Sequence, residues 1–346
     1  MQQQLSELKE LLSSPKRIVI TTHHKPDADA LGSSLALARF LKKKNHHVQV
    51  IVPSDYPSFL DWMEGNDDVW VFDDAKKAEA IACIKEAEII FCLDFNALSR
   101  IYNLGEYVAE AKAKKVLIDH HLEPELFADI CISDTRAAAT GMLIYELIIG
   151  LDERALMDTY IAECIYAGIM TDTGSFRHSN ADKKVHQVIA DLYSWNLDSS
   201  RIHRLIFDTN SEERLRLLGF CLSEKLIVLE DCYTAFIYLS AEELERFDSR
   251  TGDTEGLVNY ALSIDKIILA AMIVEREDGV KISFRSKGDF NVNVFARTHY
   301  EGGGHKNAAG GRSLKSLSET VRNFREIVSN YKEELLENLR KEKFLC

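Results

Sequence analysis

Short, almost uninterrupted apolar runs alternate with helical stretches through the first half of this chain, and that alternation constrains its fold more than any other feature. "RIVITTH" (17–23) is β-branched. The segment after it, "DALGSSLALARFLKKKN", puts Leu31, Leu35, Ala38 and Leu41 on one helical face. "HVQVIVPS" (47–54), "VWVFDD" (69–74), "AEIIFCLDF" (87–95) and "KKVLIDHH" (114–121) continue the series. Strands that are apolar on both faces and separated by helices predict an α/β fold built on a parallel sheet covered on both sides. After residue 135 the pattern turns helical.

The second half has a different character. "EKLIVLEDCYTAFIYLS" (224–240) predicts a hairpin turning at Glu230-Asp231, and 266–287 a second around Asp278-Gly279. A short helix, a glycine-rich loop and one long charged helix (about 317–342) complete it. With 346 residues, two domains are expected. The expected limits are 1–190, a helical connector at 191–215, and a smaller α/β domain at 216–346, with a cleft between the two domains. An exposed connector would permit a homodimer.

Composition narrows the function classes. Hydrophobic residues make up 46% of the chain, so disorder is excluded as its main state. The net charge of −13 makes a poor coat for long nucleic acid, where affinity comes from neutralising many phosphates. Short phosphate ligands are compatible with it, above all if metal ions supply positive charge. Seven cysteines, none spaced as CxxC and most inside apolar runs, read as reduced thiols. The N-terminus has no apolar signal-peptide core and "IILAAMIV" (267–274) is too short to span a bilayer, so a soluble cytoplasmic protein without a membrane partner is expected.

Four segments carry the chemistry: "THHKPDADALGSS" with His23, Asp27 and Asp29; "FCLDFN" with Asp94; "LIDHHLEP" with Asp119, His120 and His121; and "GIMTDTGSFRHS" with Asp172. The first three fall at the C-terminal ends of apolar strands. Ligands bind in the crevice outside those ends in an open parallel sheet. So many carboxylates repel one another unless cations sit among them. Imidazole and carboxylate without thiolate suit manganese, magnesium or iron better than a structural zinc. Five or six ligands suit a metal pair with one bridging carboxylate, the apparatus of phosphate ester or anhydride hydrolysis. Single members have plainer readings. Asp29 reads equally well as the cap of a helix from Ala30. Asp172-Thr173-Gly174 reads as a turn, and Asp119 as a partner that orients an imidazole. His24, His46, His47 and His178 read as solvated or structural.

In this order, "HHKPDADALGS", "LDF", "DHH" and "TDTGSFR" resemble the four motifs of the DHH phosphoesterases, and "GGGHKNAAGG" (302–311) resembles the glycine-rich motif of the DHH-associated C-terminal domain. The resemblance covers essentially the whole chain. It is strongest toward the bacterial branch of nanoRNases (oligoribonucleases) and 3′-phosphoadenosine-5′-phosphate (PAP) phosphatases, often labelled exopolyphosphatase-related. The resemblance implies two Mn²⁺ ions, with Mg²⁺, Fe²⁺ or Co²⁺ as substitutes. His23 and Asp27 would hold one, Asp29, His120 and Asp172 the other, and Asp94 would bridge them. His121 would face the substrate phosphate, with Asp119 behind the histidines. Family members often carry Asn and Gly where this chain has Lys25 and Ala28; neither position is an expected ligand.

In the second domain, Arg285, Ser286, Asn291, Gly302, Gly303, Gly304 and His305 are the expected substrate contacts, the glycines forming a backbone nest for phosphate with Lys306 adding charge. The implied partners are short single-stranded oligonucleotides or nucleotides, not long duplexes. Two alternatives stand beside this reading: a pyrophosphatase or exopolyphosphatase on the same metal site, and a non-catalytic nucleotide-binding regulatory module.

Overall fold

The computed structural model describes residues 2–178 and 180–344, and the chain divides into two compact units, Met1–Thr209 and Asn210–Cys346. The first unit runs α1 (Gln2–Leu11), β1 (Arg17–Thr22), α2 (Ala28–Lys43), β2 (His47–Val52) and β3 (Trp70–Val71). It continues through α3 (Lys77–Glu86), β4 (Ile89–Leu93), α4 (Leu104–Glu110), β5 (Lys114–Asp119) and β6 (Ile130–Ser133). Four helices close it: α5 (Thr140–Gly150), α6 (Thr159–Asp172), α7 (Lys183–Leu192) and α8 (Ser199–Phe207).

All six strands are parallel, in the order β3-β2-β1-β4-β5-β6. Successive strand residues face opposite sides, so each apolar run feeds two cores. Ile18, Ile20, Phe91, Leu93, Val116 and Ile118 pack beneath α2, α5 and α6. Val19, Ile90, Cys92 and Leu117 pack beneath α3 and α4. Burying a side chain of this size contributes roughly 1.5–3 kcal/mol, which accounts for the lack of polar positions inside β4. The strand order reverses direction between β1 and β4, so the crevice of this sheet opens at their C-terminal ends.

Helices α7 and α8 place Val188, Leu192, Ile202 and Ile206 in the first unit's core. Residues 191–209 of the expected connector therefore pack as part of that unit. Strand β6 is short, and Cys131 on it is exposed. Cys92, Cys164 and Cys221 are buried, Cys83 and Cys232 half-buried, and none of these six is in a disulfide; Cys346 lies outside the described residues.

The second unit contains α9 (Glu212–Phe220), β7 (Leu226–Leu229), β8 (Thr234–Leu239), α10 (Ala241–Arg246), α11 (Leu257–Leu262), β9 (Leu269–Arg276) and β10 (Gly279–Ser286). It ends with α12 (Val292–His299), β11 (Glu301–Gly304), β12 (Ala308–Ser313), α13 (Leu317–Ser329) and α14 (Lys332–Phe344). Its sheet has the order β11-β12-β10-β9-β8-β7, antiparallel throughout except for β8 against β9. Both expected hairpins form.

Two local expectations are corrected here. The long C-terminal helix is two helices, because Tyr331 at the break packs its ring against Phe290 and Phe295, 5.8 and 5.2 Å between centroids. The glycine-rich loop is an edge strand. Gly302 pairs with Gly311 and Gly303 with Gly310, and a Cβ on Gly302 would lie 2.1 Å from the Gly310 carbonyl oxygen. Side chains are excluded there by the neighbouring strand. Among the described residues, no helix is long and apolar enough to cross a membrane.

Candidate metal and phosphoryl-transfer site

Register builds the site. Thr22 pairs with Leu93 and Leu93 with Ile118, so these three residues form one row across β1, β4 and β5. The next residue on each strand is His23, Asp94 or Asp119, and His120 and His121 follow directly. Asp94 keeps a backbone bond to Ile118 O at 3.1 Å but has φ 61°, a left-handed conformation that aspartate tolerates better than a branched residue. That bend ends the strand on its carboxylate.

The turn after β1 leads into α2. The N-cap of α2 is Asp27, not Asp29: its Oδ1 accepts the N–H groups of Asp29 and Ala30, 3.0 Å each. Its other oxygen lies 3.8 Å from His23 Nε2. Asp29 sits in the first turn, fully buried. Its two oxygens accept the N–H groups of Thr140 (2.6 Å) and Gly141 (2.8 Å) at the start of α5. The N-cap of α5 is Ala139, which has no capping side chain, so Asp29 performs that task from another helix. Asp172 is the last residue of α6.

These elements bring together every residue expected in the metal set. Asp94 Oδ2 faces His23 Nε2 at 3.5 Å, while its Oδ1 faces His120 Nε2 at 3.4 Å. His120 Nε2 also lies 3.3 Å from Asp172 and 3.9 Å from Asp29. Two groups emerge whose potential ligand atoms lie within 4.8 Å of one another: His23, Asp27, Asp94, and Asp29, His120, Asp172. A third is Asp94, Asp119, His121.

The second ring nitrogens fix how the imidazoles present themselves. His23 Nδ1 lies 3.0 Å from the His24 carbonyl oxygen and His120 Nδ1 3.2 Å from that of Ala137. A carbonyl only accepts, so Nδ1 carries the proton and Nε2 is the lone-pair atom of the neutral ring. His121 Nδ1 lies 2.7 Å from Asp119 Oδ1. The second oxygen of Asp119 is buried without a hydrogen-bond partner in the structure.

The charges are strongly perturbed. Burial works against ionisation of Asp94, yet hydrogen bonding to His120 and His23 and the charge of His121 hold its carboxyl well below the usual range. Burial, then the charges of Asp94 and Asp172, push Asp29 well above it. Burial raises Asp172 as well. His23 and His120 are both raised. Burial opposes the rise, and their carboxylate partners overcome it. Without a cation, this cluster holds its negative charge by taking up protons. Neutral Nε2 atoms among convergent carboxylates form a donor set that fits divalent cations in place of those protons.

Two contributors escaped the sequence reading. Thr140 Oγ1 donates to Asp94 Oδ1 at 2.9 Å while its N–H donates to Asp29, so one residue orients both carboxylates. Gly168 on α6 gives Asp29 its room. The one sequence signal was the run "AAATGM", a helix start with no cap of its own. Lys25 is drawn to Asp55, its ammonium paired there.

In the second unit, Ser286 Oγ donates to Phe290 O (2.6 Å) and accepts from Asn307 (2.9 Å), and Asn291 Oδ1 caps α12. Both side chains therefore do structural work. Arg285 Nη1 donates to the Phe284 carbonyl at 2.9 Å. The Gly304 N–H donates to Asn293 Oδ1 at 2.9 Å and is already engaged; the His305 N–H donates to Ala308 O at 2.7 Å, closing the turn from β11 to β12.

Known proteins resemble the chain along most of its length. The family model "DHH family, N-terminal domain" matches residues 17–169 and the DHHA1 domain matches 234–334. The bifunctional oligoribonuclease and PAP phosphatase NrnA of Bacillus subtilis is 29% identical over 318 residues, 92% of this chain and 95% of that protein. The protein of the same name from Thermus thermophilus is 30% identical over 304 residues, 87% and 85%. The crystal structure of an exopolyphosphatase-related protein from Bacteroides fragilis superimposes with a TM-score of 0.91 at 39% identity, over 97% of this chain and 98% of that one.

Proposed function

Because this chain belongs to the DHH family, we propose that it is a divalent-metal-dependent phosphoesterase that cleaves very short oligoribonucleotides to mononucleotides and PAP to AMP. The observation that carries the reading is the position of Asp94, with one oxygen toward His23 and the other toward His120. That is the arrangement a bridging carboxylate needs. His23 and Asp27 would hold one cation and Asp29, His120 and Asp172 the other, with manganese the first candidate. When bound, such a pair supplies positive charge to the phosphoryl group and acidity to a water molecule.

The protein's own residues supply orientation and protons. Asp119, buried at the end of β5, holds His121 Nδ1, which also lies 3.8 Å from Asp94 Oδ1, and so leaves Nε2 as the ring nitrogen outside that bond. From Nε2, His121 would donate a proton to the leaving oxygen as general acid. Thr140 keeps both carboxylates in their rotamers. Arg285 of the second unit is the proposed phosphate partner for the nucleotide end.

The names of the two NrnA relatives favour nucleotide substrates. The label of the Bacteroides fragilis structure keeps polyphosphate as the second reading. A side-by-side turnover assay with Mn²⁺ separates them, using a 5′-phosphorylated diribonucleotide, PAP, pyrophosphate, a short polyphosphate and a 24-mer RNA. The expected result is fast cleavage of the dinucleotide, phosphate release from PAP and little action on the 24-mer. Turnover confined to pyrophosphate or polyphosphate moves the protein to anhydride hydrolysis. Silence on all five with metal bound leaves a regulatory module.

A further inference from the structure

Tyr102 is a strained surface residue near the histidine and aspartate cluster. Its backbone has φ 49° and ψ −132°, a conformation that suits glycine and strains a bulky side chain. The residue is 53% exposed, so core burial does not offset the strain. The neighbours hold it in place. Ile101 and Leu104 on either side are fully buried. The Tyr102 N–H donates to Ser99 O at 3.3 Å, and its carbonyl accepts the Gly105 N–H at 2.9 Å. A Cβ on Gly105 would lie 2.6 Å from Leu98 O, so the loop has no slack.

This loop begins at Asp94, and its end returns to the first motif. The His24 N–H donates to Arg100 O at 2.9 Å. The Tyr102 and His24 rings lie 4.2 Å apart between centroids, tilted by 36°. His24 is in turn the residue whose carbonyl orients His23. An exposed tyrosine on a strained backbone thus packs its ring against His24, the residue next to His23 of the cluster.

We propose that Tyr102, supported by His24, is a stacking platform for a nucleobase of the substrate. The inference rests on the nucleotide reading above and deepens it: the site recognises a base as well as a phosphate. A π-face is common to all bases, so a platform of this kind binds without choosing a sequence. That property suits an enzyme that must accept any short oligonucleotide.

The test compares wild type with Tyr102→Gly and Tyr102→Phe in two assays. One is equilibrium binding of AMP against ribose 5-phosphate, which differ by the base alone. The other is kcat and KM for the diribonucleotide. Wild type and Tyr102→Phe are expected to bind AMP more tightly than ribose 5-phosphate. Tyr102→Gly should lose about five- to a hundred-fold of that preference. It should raise KM for the diribonucleotide with kcat little changed, while its Tm rises because the strain is released. Unchanged AMP preference and KM in Tyr102→Gly, with the diribonucleotide still cleaved, overturns the platform and leaves the proposed function standing. A wild type that cleaves only polyphosphate and binds AMP no better than ribose 5-phosphate overturns both.

Discussion

Gly168 lies directly against Asp29: a Cβ on the glycine would stand 2.4 Å from Asp29 Oδ1 and 3.0 Å from its Cα. The two residues belong to α6 and α2, which also approach closely where Gly32 meets the carbonyl of Cys164. The buried carboxylate therefore depends on a missing side chain 139 residues further along the chain. Gly168→Ala is expected to push Asp29 out of line with Thr140 and Gly141 and to destabilise the first unit by about 1–3 kcal/mol, as overpacking does. Metal affinity measured by calorimetry should fall at least ten-fold. Unchanged affinity would show that Asp29 is free to move.

Thr140→Val removes one hydroxyl and keeps the shape. Asp94 Oδ1 then loses its 2.9 Å donor, while the backbone bond to Asp29 survives. Losing one hydrogen bond to a charged acceptor costs about 1.5–3 kcal/mol. The expected outcome is weaker metal binding and a drop in kcat of roughly ten-fold or more, with Thr140→Ser restoring both. A Thr140→Ser variant as poor as the valine would assign the effect to packing instead.

Asp94→Asn should abolish turnover of every substrate, since an amide cannot bridge two cations as a carboxylate does. Asparagine tolerates the left-handed backbone at this position, so the fold should survive, which circular dichroism would check. Arg285→Ala should instead raise KM and leave metal stoichiometry intact. Normal turnover by Asp94→Asn would rule out the two-cation assignment.

Metal affinity should fall as the pH is lowered. His23 and His120 are raised above 6.5, and Asp29 and Asp172 above 3.8, so the metal-free cluster carries protons that a cation must displace. Both raised histidines stabilise the metal-free fold fully below pH 6.5 and lose that contribution as pH rises through their folded values. Raised carboxylates act in the same direction, favouring the fold least at high pH. Calorimetry between pH 6 and 8 in buffers of different ionisation enthalpy should record proton release with every metal bound. The Tm of chelator-treated protein should decline over the same range while the loaded protein holds. Metal binding without proton release would contradict the protonated cluster.

The apolar runs that became β1, β4 and β5 were legible because strand burial is a local property: each is recognisable from its own residues. Their register follows from apolar matching, so His23, Asp94 and Asp119 at the ends were legible as one site. The DHH resemblance then distributed the candidate ligands into two sets, whose side chains lie close together in space. Other features depended on atoms that only folding brings together. Whether Asp27 or Asp29 caps α2 could not be read from a stretch in which both are good caps. The answer came from Thr140, whose N–H claims Asp29 from 111 residues away. The glycines at 302–304 read as a nest because glycine allows one; strand β12 alongside turns them into an edge strand. The conformation of Tyr102 leaves no trace in its residue type, because it is imposed by Ile101 and Leu104 reaching into the core. Sequence alone determined the strands that carry the site, the order of the motifs and the residue types at the crevice. The tertiary structure decided which carboxylate serves which partner, because hydrogen-bond donors and steric clearance arrive from distant segments that no local pattern encodes.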